Sequence, residues 1–274
     1  MTTHERRTHK GEKLPGEVAI YCESRGEGAP LLLIAGLGTD SSNWNGVIAR
    51  LPKQYRILTL DNRGAGRSSI PGKPYSVIEM AEDVLRVLDH FKVGRAHVLG
   101  HSLGGFIAQE LAIRYPERVD RLVLSSTAAV SSGRNNELFL KFYRDLAQGG
   151  DLEAWLREWT RWLFSPSVLS RESFVAALVK RGIRDRYRQQ LPGFKGQIDA
   201  VASFDARGRL GGIKARTLVL EGGEDVLILP EEAEALSKMI PGSVYRCIPA
   251  VAHSIHMEER EVFVNIVHGF LAAE

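Results

Sequence analysis

Cysteine is scarce in this chain, with two among 274 residues, Cys22 and Cys247. They form no C-x-x-C pair and no Cys/His metal spacing, so a disulfide framework, a redox motif and a zinc site are excluded. Two structural thiols in a reducing, cytoplasmic setting are expected instead. No stretch of about 20 apolar residues occurs, which excludes a membrane-spanning helix. Charge of one sign is lacking as well: 36 Lys and Arg stand against 33 Asp and Glu, a formal net charge of +3. The basic residues are scattered apart from Arg6-Arg7 and His9-Lys10, which excludes a nucleic-acid footprint. Internal repeats and low-complexity stretches are absent. Residues 1–13 are expected to form a poorly ordered tail, and without an apolar core they do not read as a secretory signal.

What is present is an ordinary globular composition, 44% hydrophobic and 25% charged, in a chain long enough for one large domain or a domain with an insertion. Short apolar runs at 17–22, 31–35, 56–60, 96–99, 121–124, 217–220 and 244–248 read as strands. Between them lie helical patterns. Ser76-Val77-Ile78-Glu79 is a capping box, and Val77, Met80, Val84, Leu88 and Phe91 follow at helical spacing. Further helices are expected at 106–115, 231–239 and 258–271. Strands alternating with helices predict an α/β fold, a mostly parallel central sheet covered by helices. From 133 to 204 the texture changes: strand-like runs vanish and large aromatics crowd helical segments. This block is expected to be a helical cap inserted over the carboxyl edge of the sheet, where ligands bind in such folds. The core is then 14–132 together with 205–274.

The motif that organises the rest is Gly100-His101-Ser102-Leu103-Gly104, set between the 96–99 strand and the helix that follows. On a sharp strand-to-helix turn a serine is held in strained geometry with its Oγ projecting from the sheet. Neighbouring backbone leaves no room for a Cβ at Gly100 or Gly104. Leu103 opens the helix, where unpaired N–H groups and the helix dipole favour an anion. One turn thus supplies a nucleophile and half of an oxyanion hole. The alternative is a glycine-rich turn with a capping serine.

A serine nucleophile needs a base, and the base needs an acid to hold its tautomer, in the chain order Ser, Asp or Glu, His on such a sheet. Three carboxylates, Glu221, Glu224 and Asp225, follow the 217–220 strand. Glu221 continues the strand, and the short side chain of Asp225 suits a fixed orienting bond better than that of Glu224. His253 lies just past the 244–248 strand and is the expected base. His256, three residues on, is the alternative. The remaining oxyanion donor is expected from Gly36-Leu37-Gly38 after the 31–35 strand, with the Leu37 N–H as the choice, unless these glycines only shape a turn. His101 and Gly36 are expected to shape the pocket, Asp61 and Arg63 to brace a tight loop. Trp155, Trp159 and Trp162 are expected to line an apolar acyl or ring pocket or else to be core between cap helices.

From residue 17 to the C-terminus the chain resembles the α/β-hydrolase family. The resemblance rests on Gly36-Leu37-Gly38, Asp61-Asn-Arg-Gly-Ala-Gly-Arg-Ser68, the Gly100–Gly104 turn, Gly222-Gly-Glu-Asp225 and His253. Ile34-Ala35-Gly36-Leu37-Gly38 and the compact cap are similar to the 3-oxoadipate enol-lactonase and aminoacrylate hydrolase groups. Two departures are Ala35-Gly36 where many relatives have His-Gly, and a longer 226–230 loop before its proline. The resemblance implies acyl transfer from an ester or lactone through Ser102, Asp225 and His253, with Leu37 and Leu103 binding the oxyanion and no cofactor or metal. Amidase, C–C hydrolase, perhydrolase and cyclase or decarboxylase chemistry on the same triad stay open, as does a ligand receptor that keeps the fold. The expected partner is a small-molecule substrate, not nucleic acid or membrane, with a homodimer left open.

Overall fold

The structure, a computed structural model, describes residues 11–273. Eight strands form one sheet: β1 (Glu12–Leu14), β2 (Ile20–Arg25), β3 (Ala29–Ile34), β4 (Tyr55–Leu60), β5 (Ala96–His101), β6 (Val119–Ser125), β7 (Arg216–Gly222) and β8 (Val244–Ile248). Their order is β1-β2-β4-β3-β5-β6-β7-β8. The first two strands are antiparallel to their neighbours, and every pairing from β4 to β8 is parallel. The order reverses at β3, which lies between β4 and β5. That reversal opens a crevice at the carboxyl ends of the strands.

Among the described residues eleven α-helices flank and cover the sheet: α1 (Asn45–Ile48), α2 (Val77–His90), α3 (Leu103–Arg114), α4 (Gly133–Ala147), α5 (Leu152–Leu163), α6 (Pro166–Leu169), α7 (Glu172–Arg184), α8 (Leu191–Ala202), α9 (Pro230–Met239), α10 (Ile255–Glu258) and α11 (Arg260–Ala272). Strand periodicity divides the core. On β3, Leu32 and Ile34 face the cluster built with α2 and α3, whereas Leu31 and Leu33 face the cluster that holds Trp44, Phe263 and Val267. Burial on both faces explains why β3 reads as an unbroken apolar run. The capping box of α2 forms as expected, with Ser76 N donating to Glu79 Oε2 at 2.8 Å, and Val77, Met80, Val84 and Leu88 are buried.

Three boundaries differ from expectation. The expected tail at 1–13 ends early, because Glu12 and Lys13 pair with Cys22 and Tyr21 as β1; residues 1–10 lie outside the described residues. This strand is polar and buries only Leu14, so no apolar run announces it. The second strand runs three residues later than 17–22, since its polar end is held by partners: Arg25 pairs with Glu23, and Arg56 Nε donates to Ser24 Oγ. At the C-terminus the single expected helix is two, α10 and α11, broken at Glu259 (φ −121°, ψ 60°).

Between β6 and β7 all described elements longer than a bridge are helical, α4 to α8 and a short 3₁₀ turn. An isolated bridge between Val130 and Asp205 ties the two ends of this block together. No helix of the described residues is long and apolar enough to cross a membrane.

Candidate active site

Four loops at the carboxyl edge of the sheet converge, those after β3, β5, β7 and β8. Ser102 joins β5 to α3 with φ 55° and ψ −119°, a strained conformation that persists only where the surroundings over-determine it. Here they do. Ser102 N donates to the Ser125 carbonyl at 2.9 Å, and the Ser102 carbonyl accepts from Thr127 Oγ1 at 3.0 Å. A Cβ on Gly100 would stand 2.2 Å from the Gly104 carbonyl oxygen, and one on Gly104 would stand 2.2 Å from that of Ile34. The two elbow glycines are therefore steric requirements.

After β7 the chain wraps around one carboxylate. Asp225 is buried, and its Oδ1 accepts the N–H groups of Leu227 and Ile228 at 2.8 and 3.0 Å. Within this wrap Val226 is turned out to solvent at 45% exposure. The other oxygen, Oδ2, lies 2.7 Å from His253 Nδ1. Glu224 is exposed. His253 is held from behind: Ser126 Oγ donates to its backbone carbonyl at 2.9 Å, and His101 Nε2 lies 3.1 Å from the same oxygen.

The loop after β3 is braced by two side chains. Thr39 Oγ1 donates to the Gly36 carbonyl at 3.0 Å, and Asn62 Nδ2 donates to the Ala35 carbonyl at 2.9 Å. Asp61, fully buried, accepts from Ser41 N at 2.9 Å and from Arg67 Nε at 2.7 Å. Arg63 pairs with Asp83 at 2.6 Å. Leu37, Ser102 and His253 line the same two small voids, of about 20 and 50 Å³, and Leu103 lines the smaller one. Gly36 and His101 line the larger of the two.

Phe139 of α4 and Trp159 of α5 face these residues from the helical block. Trp155 and Trp159 also line an outer chamber of about 550 Å³. Trp162, expected beside them, lines none of these three cavities and packs half-buried against the core. The three tryptophans share one helix face by spacing, but only the first two turns of that face stand over the opening.

Beside Asp225 and His253 lie three more buried groups, His101, His256 and Glu221. His101, His253 and His256 form a ring cluster, with His101 centroids 4.9 Å from His253 and 4.6 Å from His256. His256 faces away from both inner voids, with Nε2 2.9 Å from Asn43 Nδ2 and its ring 4.9 Å from Trp44. Burial pushes His101 down to about 3 and His256 well below the usual histidine range, so both stay neutral near neutral pH. The third is Glu221, fully buried on β7, whose Oε1 accepts from Gly222 N at 2.8 Å while Oε2 has no hydrogen-bond partner. Burial first, and then the charge of Asp225, raises its carboxyl well above the usual range. Only the strand position of Glu221 could have hinted at this. Among the described residues, no group of three or more His, Cys, Asp or Glu is placed to hold a metal ion.

The neutral histidines make stability depend on pH. An unfolded histidine takes up a proton near pH 6.5, whereas folded His101 resists to about 3, so the unfolded state binds more protons in between. Stability from this source is full above about pH 6.5 and is lost as pH falls. Each such group contributes a slope of up to about 1.4 kcal/mol per pH unit. His101→Gln and His256→Gln are each expected to flatten the decline of urea midpoints between pH 6.5 and 4.5. An unchanged slope in both variants would show that these rings protonate in the folded state.

A family model described as the alpha/beta hydrolase fold matches residues 29–260. A protein of Azorhizobium caulinodans named as a carbamate hydrolase, RutD, is 31% identical over 261 residues, which cover 93% of this chain and 96% of that one. The 3-oxoadipate enol-lactonase 2 of Acinetobacter baylyi is 28% identical, covering 88% of each chain. Among solved structures, an enol-lactonase from Burkholderia xenovorans superposes with a TM-score of 0.85 at 28% identity, covering 93% of this chain and 97% of that one.

Proposed function

The chain belongs to the alpha/beta hydrolase family, and from that premise we propose that it is a serine hydrolase that cleaves a small carboxylic ester or lactone through an acyl-enzyme. The observation that carries the reading is the 2.7 Å contact between Asp225 Oδ2 and His253 Nδ1, with His253 lining both voids that border Ser102. Asp225 fixes the tautomer that leaves His253 Nε2 free to accept a proton.

In the first step Ser102 Oγ attacks the substrate carbonyl carbon while its proton passes to His253 Nε2. The carbonyl electron pair moves onto oxygen, where the N–H groups of Leu37 and Leu103 receive the developing charge. Collapse of this intermediate breaks the bond to the leaving alcohol, which takes the proton from His253. Water then attacks the acyl-enzyme, gives a proton to the same nitrogen, and releases the acid as Ser102 recovers its proton. The helices α4 to α8 act in this reading as a cap that selects substrates. The enol-lactonase and carbamate-hydrolase relatives support hydrolysis at an acyl carbon as the shared chemistry.

A fluorophosphonate probe is expected to label Ser102, and p-nitrophenyl acetate to be turned over. Asp225→Asn should lower kcat by about 10⁴, the loss that follows removal of the orienting carboxylate in other triads. Glu224→Gln, on the exposed neighbour, should stay within a few-fold of wild type. The reverse ranking of these two folded variants would move the acid to Glu224, and a chain that neither labels nor turns over any small ester would refute the hydrolase reading.

A further inference from the structure

The cavities above Ser102 are chained in a fixed order. The void of about 20 Å³ is lined on its far side by Phe106, Val201 and Ile228 with Ser131 and Asn135 beside them. It shares Leu37, Ser102, Phe139, Leu227 and His253 with the void of about 50 Å³. That second void shares only Thr39 and Trp159 with the outer chamber of about 550 Å³. The innermost void and the outer chamber have no residue in common. Thr39 and Trp159 therefore form the boundary between the void beside the serine and the chamber.

The indole is held firmly in that position. It stacks on Trp155 with centroids 5.4 Å apart and planes 8° apart, meets Phe142 edge-on at 4.8 Å, and meets Phe194 edge-on at 6.0 Å. It also closes on the loop after β3: a Cβ on Gly38 would come within 3.9 Å of Trp159 Cζ2. A single water needs roughly 10–15 Å³ of such space, so the inner voids hold a group of one to a few heavy atoms. The chamber is of the size that holds a whole ring-bearing ligand. Its walls join apolar surface (Trp155, Leu156, Phe194) to polar groups at Asp185, Arg188 and Gln189.

We propose that Trp159 divides the space above Ser102 into an inner acyl site and an outer leaving-group chamber, so that the enzyme prefers esters of short acids with bulky, ring-bearing alcohols. This rests on the serine-hydrolase reading and, within it, on the ester arm. The assignment of the two sides follows from the order of events. The acyl group stays bonded to Ser102 Oγ while the alcohol must leave before water attacks, and only the chamber side has room to receive it.

The test uses two ester series on the full chain. With p-nitrophenol as the fixed leaving group, kcat/KM should fall by about tenfold or more from acetate to hexanoate, the discrimination a closed pocket gives against added methylenes. With acetate fixed, 2-naphthyl acetate should be turned over at least as well as phenyl acetate. Trp159→Ala merges the compartments and should raise the hexanoate-to-acetate ratio by about tenfold. Trp159→Leu, a milder truncation should the first variant fail to fold, should raise it several-fold. Tyr187→Ala, which lines the chamber and neither inner void and makes no ring contact with Trp159, should leave that ratio near wild type and weaken 2-naphthyl acetate instead. Wild-type preference for hexanoate, or Trp159 variants that scale every ester equally, would overturn the partition. If Ser102 still labels with the fluorophosphonate in that case, the partition alone is wrong; absence of labelling would remove the hydrolase reading beneath it.

Discussion

Replacing Ser102 with Ala is expected to leave a folded protein whose kcat on p-nitrophenyl acetate is lower by about 10⁵–10⁶, the loss seen when a triad nucleophile is removed. Folding should survive because the contacts that hold this residue in its strained conformation are made by its backbone: the N–H to Ser125 and the carbonyl accepting from Thr127. Alanine can make both, and β5 and α3 on either side are buried. What disappears is the only atom at the elbow able to form a covalent acyl intermediate. The residual rate should be that of oxyanion donors and binding acting on a water. The measurement is steady-state turnover with matched melting temperatures, after removal of any contaminating esterase. Turnover within tenfold of wild type in a folded Ser102→Ala protein would remove Ser102 from the chemistry.

This site could be read in the sequence to the degree that its parts are local. The elbow is local: a buried strand, two glycines that tolerate no Cβ, and a helix directly after. The order Ser102, Asp225, His253 was legible because each residue follows a strand of a parallel sheet, which puts all three at one edge. Side-chain length favours Asp225 over Glu224 as the proposed acid, and the loop conformation is a second ground for that reading. Two backbone N–H groups of the following loop clasp Asp225, while Glu224 faces solvent. What depended on tertiary placement stayed hidden. Helical spacing puts Trp155, Trp159 and Trp162 on one face, yet the angle at which α5 crosses the opening decides which rings reach it. Glu221 occupies a position that reads as apolar strand, so its buried carboxyl beside Asp225 had no periodic signature. β1 was missed because a three-residue polar edge strand is specified by its partner β2 more than by its own sequence.

The buried surroundings of His253 bear on its proposed role as the base. A histidine that becomes an imidazolium in the transition state is favoured by a carboxylate and opposed by any neighbouring cation. Here its ring neighbour His101 stays neutral, and so does His256 behind it. Burial and the charge of Asp225 both oppose ionisation of Glu221. In the proposed mechanism charge then develops on the Asp225–His253 pair, joined by the 2.7 Å contact, with no cationic ring beside it. Replacement of either neutral histidine by a cation is then more harmful than its replacement by a neutral polar group.

The expected result for the base follows. His253→Ala should lower kcat by about 10⁶, as much as loss of the nucleophile, because a serine without a base is a weak nucleophile and the two act as a unit. The double variant with Ser102→Ala should be hardly slower than either single one, the non-additivity that such a unit shows. His256→Ala should cost at most a few-fold, through slight loosening of the Trp44 and Asn43 contacts that pack behind the site. The two histidines also separate by their pH behaviour. An imidazole base is useless once protonated, so kcat/KM falls on the acid side. That acid limb should persist unchanged in His256→Ala, since burial already keeps His256 neutral through the range. A His256→Ala protein that is folded and dead, or one in which the acid limb vanishes, would transfer the base from His253 to His256. It would also require α10 to turn the His256 ring away from Trp44 and toward the serine.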